Sequence, residues 1–178
     1  GKAIMDETCE NTQIINEMNI PIIAMGCKNM VIAVSSDGIL VADKERSGHM
    51  KDYVDKMCTD VMFAEKSWGT FTVVDAQPGA LTIKVSMRAG EQMAYHSHHF
   101  RDEVWTVIAG TGRATLDGKS CFLHAGDVLR IPTGCKHTVH AETDLDIIEV
   151  QLGETISVED KSKYALEASD TVAGNERK

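Results

Sequence analysis

No two cysteines in this chain stand in Cys-x-x-Cys spacing, and the five present (Cys9, Cys27, Cys58, Cys121 and Cys135) are odd in number. Those two facts argue against a disulfide framework and against a cysteine-based zinc site; buried free thiols in a reducing compartment are expected instead. Long apolar runs are missing too: nothing approaches the roughly 18 residues that a membrane-spanning helix needs. The opening Gly1–Asn11 is polar and acidic, without the basic and apolar regions of a signal peptide. Basic runs are also absent, and a net charge of −9 repels nucleic acid. These absences predict a cytoplasmic protein with neither nucleic-acid nor membrane partners. What is present is ordinary for a globular protein: 43% hydrophobic and 25% charged residues over 178 positions, enough for one packed domain with a smaller attachment.

The pattern changes near Met57–Ser67. Before it, Met30–Val34 and Ile39–Ala42 are apolar and β-rich, and Ser35-Ser36-Asp37-Gly38 between them reads as a hairpin turn. Ser47 is placed to cap a short helix over His49–Met57, with Met50, Tyr53, Val54 and Met57 on one face. Two or three strands and one helix make a small extension over residues 1–60. After Trp68-Gly69, short strands follow closely. Leu81, Ile83, Val85 and Met87 alternate with polar residues, Val104–Ala109 is continuously apolar, and Asp117-Gly118 marks a tight hairpin between Arg113–Leu116 and Ser120–Leu123. Val128–Ile131, Thr138–Ala141 and Leu145–Leu152 complete an all-β set over residues 61–160, suited to a sandwich or barrel. Residues 161–178 read as a polar tail that frays after Ala168.

His96 and His98 are two apart in an expected strand, so alternation puts both side chains on one face and Ser97 and His99 on the other. Glu103 follows at the start of the next strand, and His137 comes from a later hairpin after Pro132-Thr133-Gly134. Three imidazoles and a carboxylate suit one divalent transition metal of the Zn, Mn, Fe, Co or Ni group. His49, His99, His124 and His140 are expected to be surface or packing residues.

The spacing is that of a known superfamily. Gly90, five residues, His96-Ser97-His98, four residues, Glu103, six residues and Gly110 match the first cupin motif; Gly126, five residues, Pro132-Thr133-Gly134, two residues and His137 match the second, with Ala141 in place of its final Asn. The resemblance implies a double-stranded β-helix, or jelly-roll, barrel. It extends further. Lys66-Ser67-Trp68-Gly69-Thr70-Phe71, His98-His99-Phe100-Arg101-Asp102-Glu103-Val104-Trp105, Ile131–His137 and Ile147–Gly153 resemble the isomerase domain of bifunctional mannose-1-phosphate guanylyltransferase/mannose-6-phosphate isomerase. Ile23–Val31 and Gly38–Lys44 resemble the end of that family's guanylyltransferase half. The nucleotide-cradling Gly-rich loop and carboxylate site of that half have no counterpart here, so no nucleotide transfer by this chain alone is expected. Departures also stand out. The family carries Gln where His96 stands, His at Phe100 and Val104, and an Arg-Tyr-Gly-Arg segment that Lys161–Lys178 lacks, Lys163-Tyr164 being its nearest trace.

The resemblance implies a metal-dependent isomerase acting on mannose-6-phosphate or fructose-6-phosphate in GDP-mannose and polysaccharide biosynthesis. A sugar phosphate is the expected partner, and a homodimer the expected assembly. Its phosphate needs cations, for which Arg101, Lys136 and Lys84 are the candidates. Proton transfer between adjacent carbons needs a base, for which Glu91 and Asp102 lie nearest the ligands in sequence. A non-catalytic cupin module that binds sugar phosphate or dimerises to control an attached transferase is the alternative. A metal-dependent dioxygenase is a more distant one, since the ligand set leaves coordination positions open.

Overall fold

The computed structural model of the protein describes residues 1–57, 61–157 and 159–165. The chain divides into two compact units, Gly1–Phe63 and Ala64–Lys178.

The first unit holds five short strands, more than the two or three expected: β1 (Ala3–Met5), β2 (Gln13–Asn16), β3 (Ile22–Ala24), β4 (Met30–Ser35) and β5 (Gly38–Asp43). β1 pairs with β3 and β2 with β4, both in parallel, while β4 and β5 form the expected hairpin through Ser36-Asp37. Three- or four-residue strands are too short to show alternation, which hid β1, β2 and β3 from the sequence. The helix starts later than expected. Ser47–His49 is a 3₁₀ turn and the helix α1 spans Lys51–Met57. Ser47 Oγ donates to the Lys44 carbonyl at 2.8 Å, so it closes the preceding turn and does not cap the helix.

The second unit is a double-sheet sandwich. One sheet has six strands: β6 (Phe63–Lys66), β7 (Gly69–Gln77), β8 (Ala80–Met87), β10 (Asp102–Ala109), β13 (Val128–Ile131) and β15 (Leu145–Leu152), in the order β13-β10-β15-β8-β7-β6. The other orders β12-β11-β14-β9-β16, where β9 is His96–Ser97, β11 Thr111–Leu116, β12 Lys119–His124, β14 His137–Ala141 and β16 Ser162–Lys163. Asp117 and Gly118 both take positive φ, as a two-residue hairpin of this hand requires. Gly110 has φ +82°, and a Cβ there would lie 1.9 Å from the Asp144 carbonyl oxygen, so no side chain fits.

Between the sheets, alternation sorts the side chains. Ile83, Val85 and Met87 of β8, Trp105 and Val107 of β10, Val139 and Ala141 of β14, and Leu145 and Ile147 of β15 form one buried cluster. The same inward faces change character along their length. In β10 the inward series runs Val107, Trp105, Glu103; in β15 it runs Leu145, Ile147, Glu149, Gln151; antiparallel pairing sets Val107 beside Ile147 and Glu103 beside Gln151. One end of the sandwich is therefore an apolar plug and the other a buried polar chamber. Because period-two alternation fixes which face each residue takes, the chamber's ionisable groups are part of the strand pattern itself.

Candidate metal centre

His96 and His137 are register partners across β9 and β14, which sets their rings side by side with centroids 4.3 Å apart. His98 follows β9, its ring centroid 4.8 Å from that of His96 and 5.3 Å from that of His137. All three are at most 4% exposed, and each offers a ligand atom within 4.8 Å of the others. The Nδ1 of every ring faces a backbone carbonyl: His96 that of Ala94 at 2.7 Å, His137 that of Cys135 at 3.0 Å, His98 that of Asp160. A backbone acceptor at Nδ1 fixes the tautomer that leaves Nε2 bare, the arrangement that serves an imidazole ligand.

Glu103 completes the group. Its Oε1 lies 3.0 Å from His98 Nε2 and its Oε2 3.3 Å from His137 Nε2. Trp105 Nε1 donates to Oε2 and Arg101 Nε to Oε1, each at 3.1 Å. His137 Nε2 is buried and finds no hydrogen-bond partner among the described residues. A buried, bare nitrogen facing a carboxylate and two more imidazoles is the donor chemistry of a divalent transition metal, so these residues fit such an ion. The three histidines can hold a metal ion.

Burial shapes the charges. It is the largest influence on His96, followed by the His137 charge, and together they bring its pKa down to about 3. Glu103 is also buried, which opposes ionisation, but the His137 and His98 rings packed against it hold its carboxyl well below the usual range. Glu149 goes the other way: burial and then the Glu103 charge push it up to about 8, so it keeps its proton at neutral pH. Its Oε1 accepts from Gln151 Nε2 at 2.6 Å. Sequence reading missed Glu149, Gln151 and Asp160. The signal for the first two was available, since a Glu and a Gln sit at the inward positions of an otherwise apolar strand.

The remaining expected site residues scatter. Arg101 is turned into the protein, 8% exposed, with Nη2 3.1 Å from His98 Nε2 and Nη1 donating to the Ser157 carbonyl. It is engaged with the ligands themselves and is not an open surface cation. Lys84 faces outward between Ile83 and Val85 and pairs with Asp146 at 2.8 Å. The Lys136 ammonium stands 4.4 Å over the Tyr164 ring, and its residue alternates with inward-facing His137. Neither lysine is brought to the cluster. Asp102 points away from Glu103, accepts from the Thr133 amide and hydroxyl at 2.8 Å and pairs with Arg130. The Thr133 bonds lower its pKa first and Arg130 adds to this, so it is a poor base as well as a misplaced one. Glu91 lies half-buried in the turn after β8, where its carbonyl accepts the Ala141 amide at 2.9 Å. Of the weaker histidines, His49, His99 and His124 are exposed and His140 is half-buried. Cys9, Cys27, Cys121 and Cys135 form no disulfide among the described residues; Cys58 and the expected fraying after Ala168 lie outside them.

Residues 55–165 match the family model of the mannose-6-phosphate isomerase C-terminal domain, well over half of the chain. The chain belongs to this family. Over 171 residues it is 26% identical to mannose-1-phosphate guanylyltransferase of Escherichia coli K12, covering 91% of this chain and 36% of that protein. The mannose-1-phosphate guanylyltransferase ManC of Salmonella typhimurium is 28% identical over 173 residues, covering 92% and 36%. The chain thus spans little more than a third of these relatives. Among solved structures, a double-stranded β-helix protein of uncharacterised role from Klebsiella pneumoniae aligns with a TM-score of 0.51 at 18% identity, covering 58% of this chain and 90% of that one. Oxalate decarboxylase from Bacillus subtilis aligns with the same TM-score at 19% identity, covering 59% and 30%. These likenesses establish the cupin fold. No helix among the described residues is long and apolar enough to cross a membrane.

Proposed function

We propose that this mannose-6-phosphate isomerase C-terminal domain is a metal-dependent sugar-phosphate isomerase domain, acting on mannose-6-phosphate and fructose-6-phosphate, with His96, His98, His137 and Glu103 as ligands. The observation that carries the metal reading is the convergence of three imidazoles whose Nδ1 atoms are all tied to backbone carbonyls, with His137 Nε2 left unpartnered inside the chamber. When bound, the ion would act as a Lewis acid on the sugar's carbonyl or hydroxyl oxygens. The chain's own part is to hold the ligands rigid, exclude water and carry a proton. Glu149, inward-facing on β15 and raised by burial and by the Glu103 charge, would hold that proton in preference to Asp102, which the Thr133 bonds lower.

A coupled assay converting mannose-6-phosphate in the presence of Zn, Mn, Fe, Co or Ni tests this. Turnover that requires metal and disappears in Glu103→Gln supports the enzyme. One observation favours the alternative of a binding module: Lys84 and Lys136 stand away from the cluster, and Arg101 is committed to Glu103. A metal-loaded chain that binds mannose-6-phosphate but never interconverts it would establish that second reading.

A further inference from the structure

His96 and His137 take their Nδ1 acceptors from residues two positions earlier, Ala94 and Cys135, on their own stretch of chain. His98 does not. Its acceptor is the carbonyl of Asp160, 62 residues away and beyond both cupin motifs. We propose that Asp160 is a positioning residue for the ligand His98, so that the segment after the last long strand is a working part of the metal centre; this rests on the metal-binding reading above.

Asp160 grips the ligand loop by several groups at once. Its Oδ1 accepts the His99 amide at 2.8 Å, its Oδ2 accepts the Phe100 amide at 3.1 Å, and Arg101 Nη1 lies 3.9 Å from Oδ2. One buried aspartate therefore fixes residues 98 through 101, using its carbonyl for the ring and its carboxylate for the backbone behind it. The two sides of His98 agree. A proton on Nδ1, given to Asp160, leaves Nε2 to accept from Arg101 Nη2 at 3.1 Å, and Nε2 is the atom turned toward Glu103. Without the Asp160 carbonyl, Nδ1 loses its acceptor, and the tautomer and ring orientation that present Nε2 are no longer preferred. Asp160 is itself held in place. β16 pairs with β9, setting Ser162 beside Ser97 and Lys163 beside His96. The Tyr164 amide donates to the Tyr95 carbonyl at 2.9 Å, and the Tyr164 and Ser97 hydroxyls are 3.1 Å apart. A short strand thus lies along the whole first ligand segment and carries Asp160 to its turn.

The experiment has two readouts on the full chain. In metal-free, ¹⁵N-labelled protein, long-range ¹H–¹⁵N spectra report the tautomer of each imidazole. Wild type should show His98 protonated on Nδ1; Asp160→Ala keeps the backbone carbonyl but loses the carboxylate that ties it to the His99 and Phe100 amides, and should weaken that preference while His96 and His137 keep theirs. In the second, Co²⁺ is titrated and its d–d absorption recorded. Asp160→Ala should weaken Co²⁺ binding about tenfold to a hundredfold and alter the bands, as loss of a ligand's outer partner does. Asp160→Asn, which keeps one oxygen for the amides, should fall between the two and serves alone if the alanine variant does not fold. Tyr164→Phe, which loosens the strand but leaves Asp160 intact, should bind Co²⁺ within about twofold of wild type. An unchanged tautomer and unchanged Co²⁺ affinity in both Asp160 variants overturn the proposal, as does an equal loss in Tyr164→Phe. Wild-type protein that takes up no Co²⁺ overturns the metal reading itself, a distinct result.

Discussion

Two buried residues in the chamber have opposite acid–base leanings, and each gives a stability signature in the metal-free chain. His96 is held neutral: its pKa is about 3 folded against 6.5 unfolded. Between those values the unfolded chain binds the extra proton, so this contribution is present above pH 6.5 and is lost as pH falls toward 3. At pH 5 the loss is about 2 kcal/mol, and His96→Gln should abolish it. Urea unfolding of EDTA-treated wild type and variant at pH 7.5 and pH 5 checks this; parallel losses in both proteins would contradict the assignment. Glu149 works with the reverse sign. Its folded pKa is about 8 against a reference of 4.5, so the native state holds a proton that the unfolded chain has released. Stability therefore falls as pH rises from about 4.5 through about 8. Glu149→Gln imitates the protonated form, so the variant should gain on wild type between pH 6 and pH 8.5 in the same unfolding measurement.

At the scale of elements, the tightest constraint is a turn. Gly110 joins β10 to β11 with a positive φ and with the Asp144 carbonyl where a Cβ would be. Gly110→Ala faces both strain and collision, and should destabilise the chain by at least about 2 kcal/mol, lowering Tm by several degrees in a calorimetric scan. This glycine was legible in advance, because the motif spacing reserves the position. So were the long strands. β8 declares itself by alternation, and the β11–β12 hairpin by Asp117-Gly118. The spacing of His96, His98, Glu103 and His137 also foretold that these side chains would meet, since two strands and a hairpin of fixed length leave them one chamber to face. What the sequence concealed has physical causes. Ser162–Lys163 is too short to carry a period, so a strand lying against the ligands reads as the start of a tail. Ser97, on the face opposite His96, is buried as well, with the Tyr164 hydroxyl 3.1 Å from its own. Arg101 looks like a surface charge beside Glu103, yet the chain turns between β9 and β10, alternation lapses there, and the guanidinium folds inward. Cations drawn from neighbours in sequence are the least dependable inference of this kind, because strand parity sends adjacent side chains to opposite faces.

For the molecule as a whole, the side chains of His96, His98, Glu103 and His137, from β9, the following loop, β10 and β14, converge only when both sheets are in place, so the proposed metal binding would be linked to folding of the second unit. Saturating Co²⁺ should raise the Tm of wild type, and should leave a His98→Ala/His137→Ala double variant unmoved; a rise in the variant would place the metal elsewhere. The two compact units differ in what holds them. Every member of the buried hydrophobic cluster belongs to the second. In the first, Ala24 and Val34 are the only buried hydrophobic residues among those described, while Ile4, Ile23, Ile39, Val41, Tyr53 and Met57 are all exposed. Its sheets have two and three strands, and its helix is seven residues long. The rest of the unit's described apolar surface is half-buried or exposed, which leaves it a weak core of its own. Sheets of this size need a covering surface to be stable. A fragment ending at Met57 should therefore give a circular dichroism spectrum with little β-structure and no cooperative thermal transition. A fragment beginning near Val61 should retain a sharp melt. A cooperative transition in the first fragment would show that the hairpin and the parallel pairs supply more stability than their buried area accounts for.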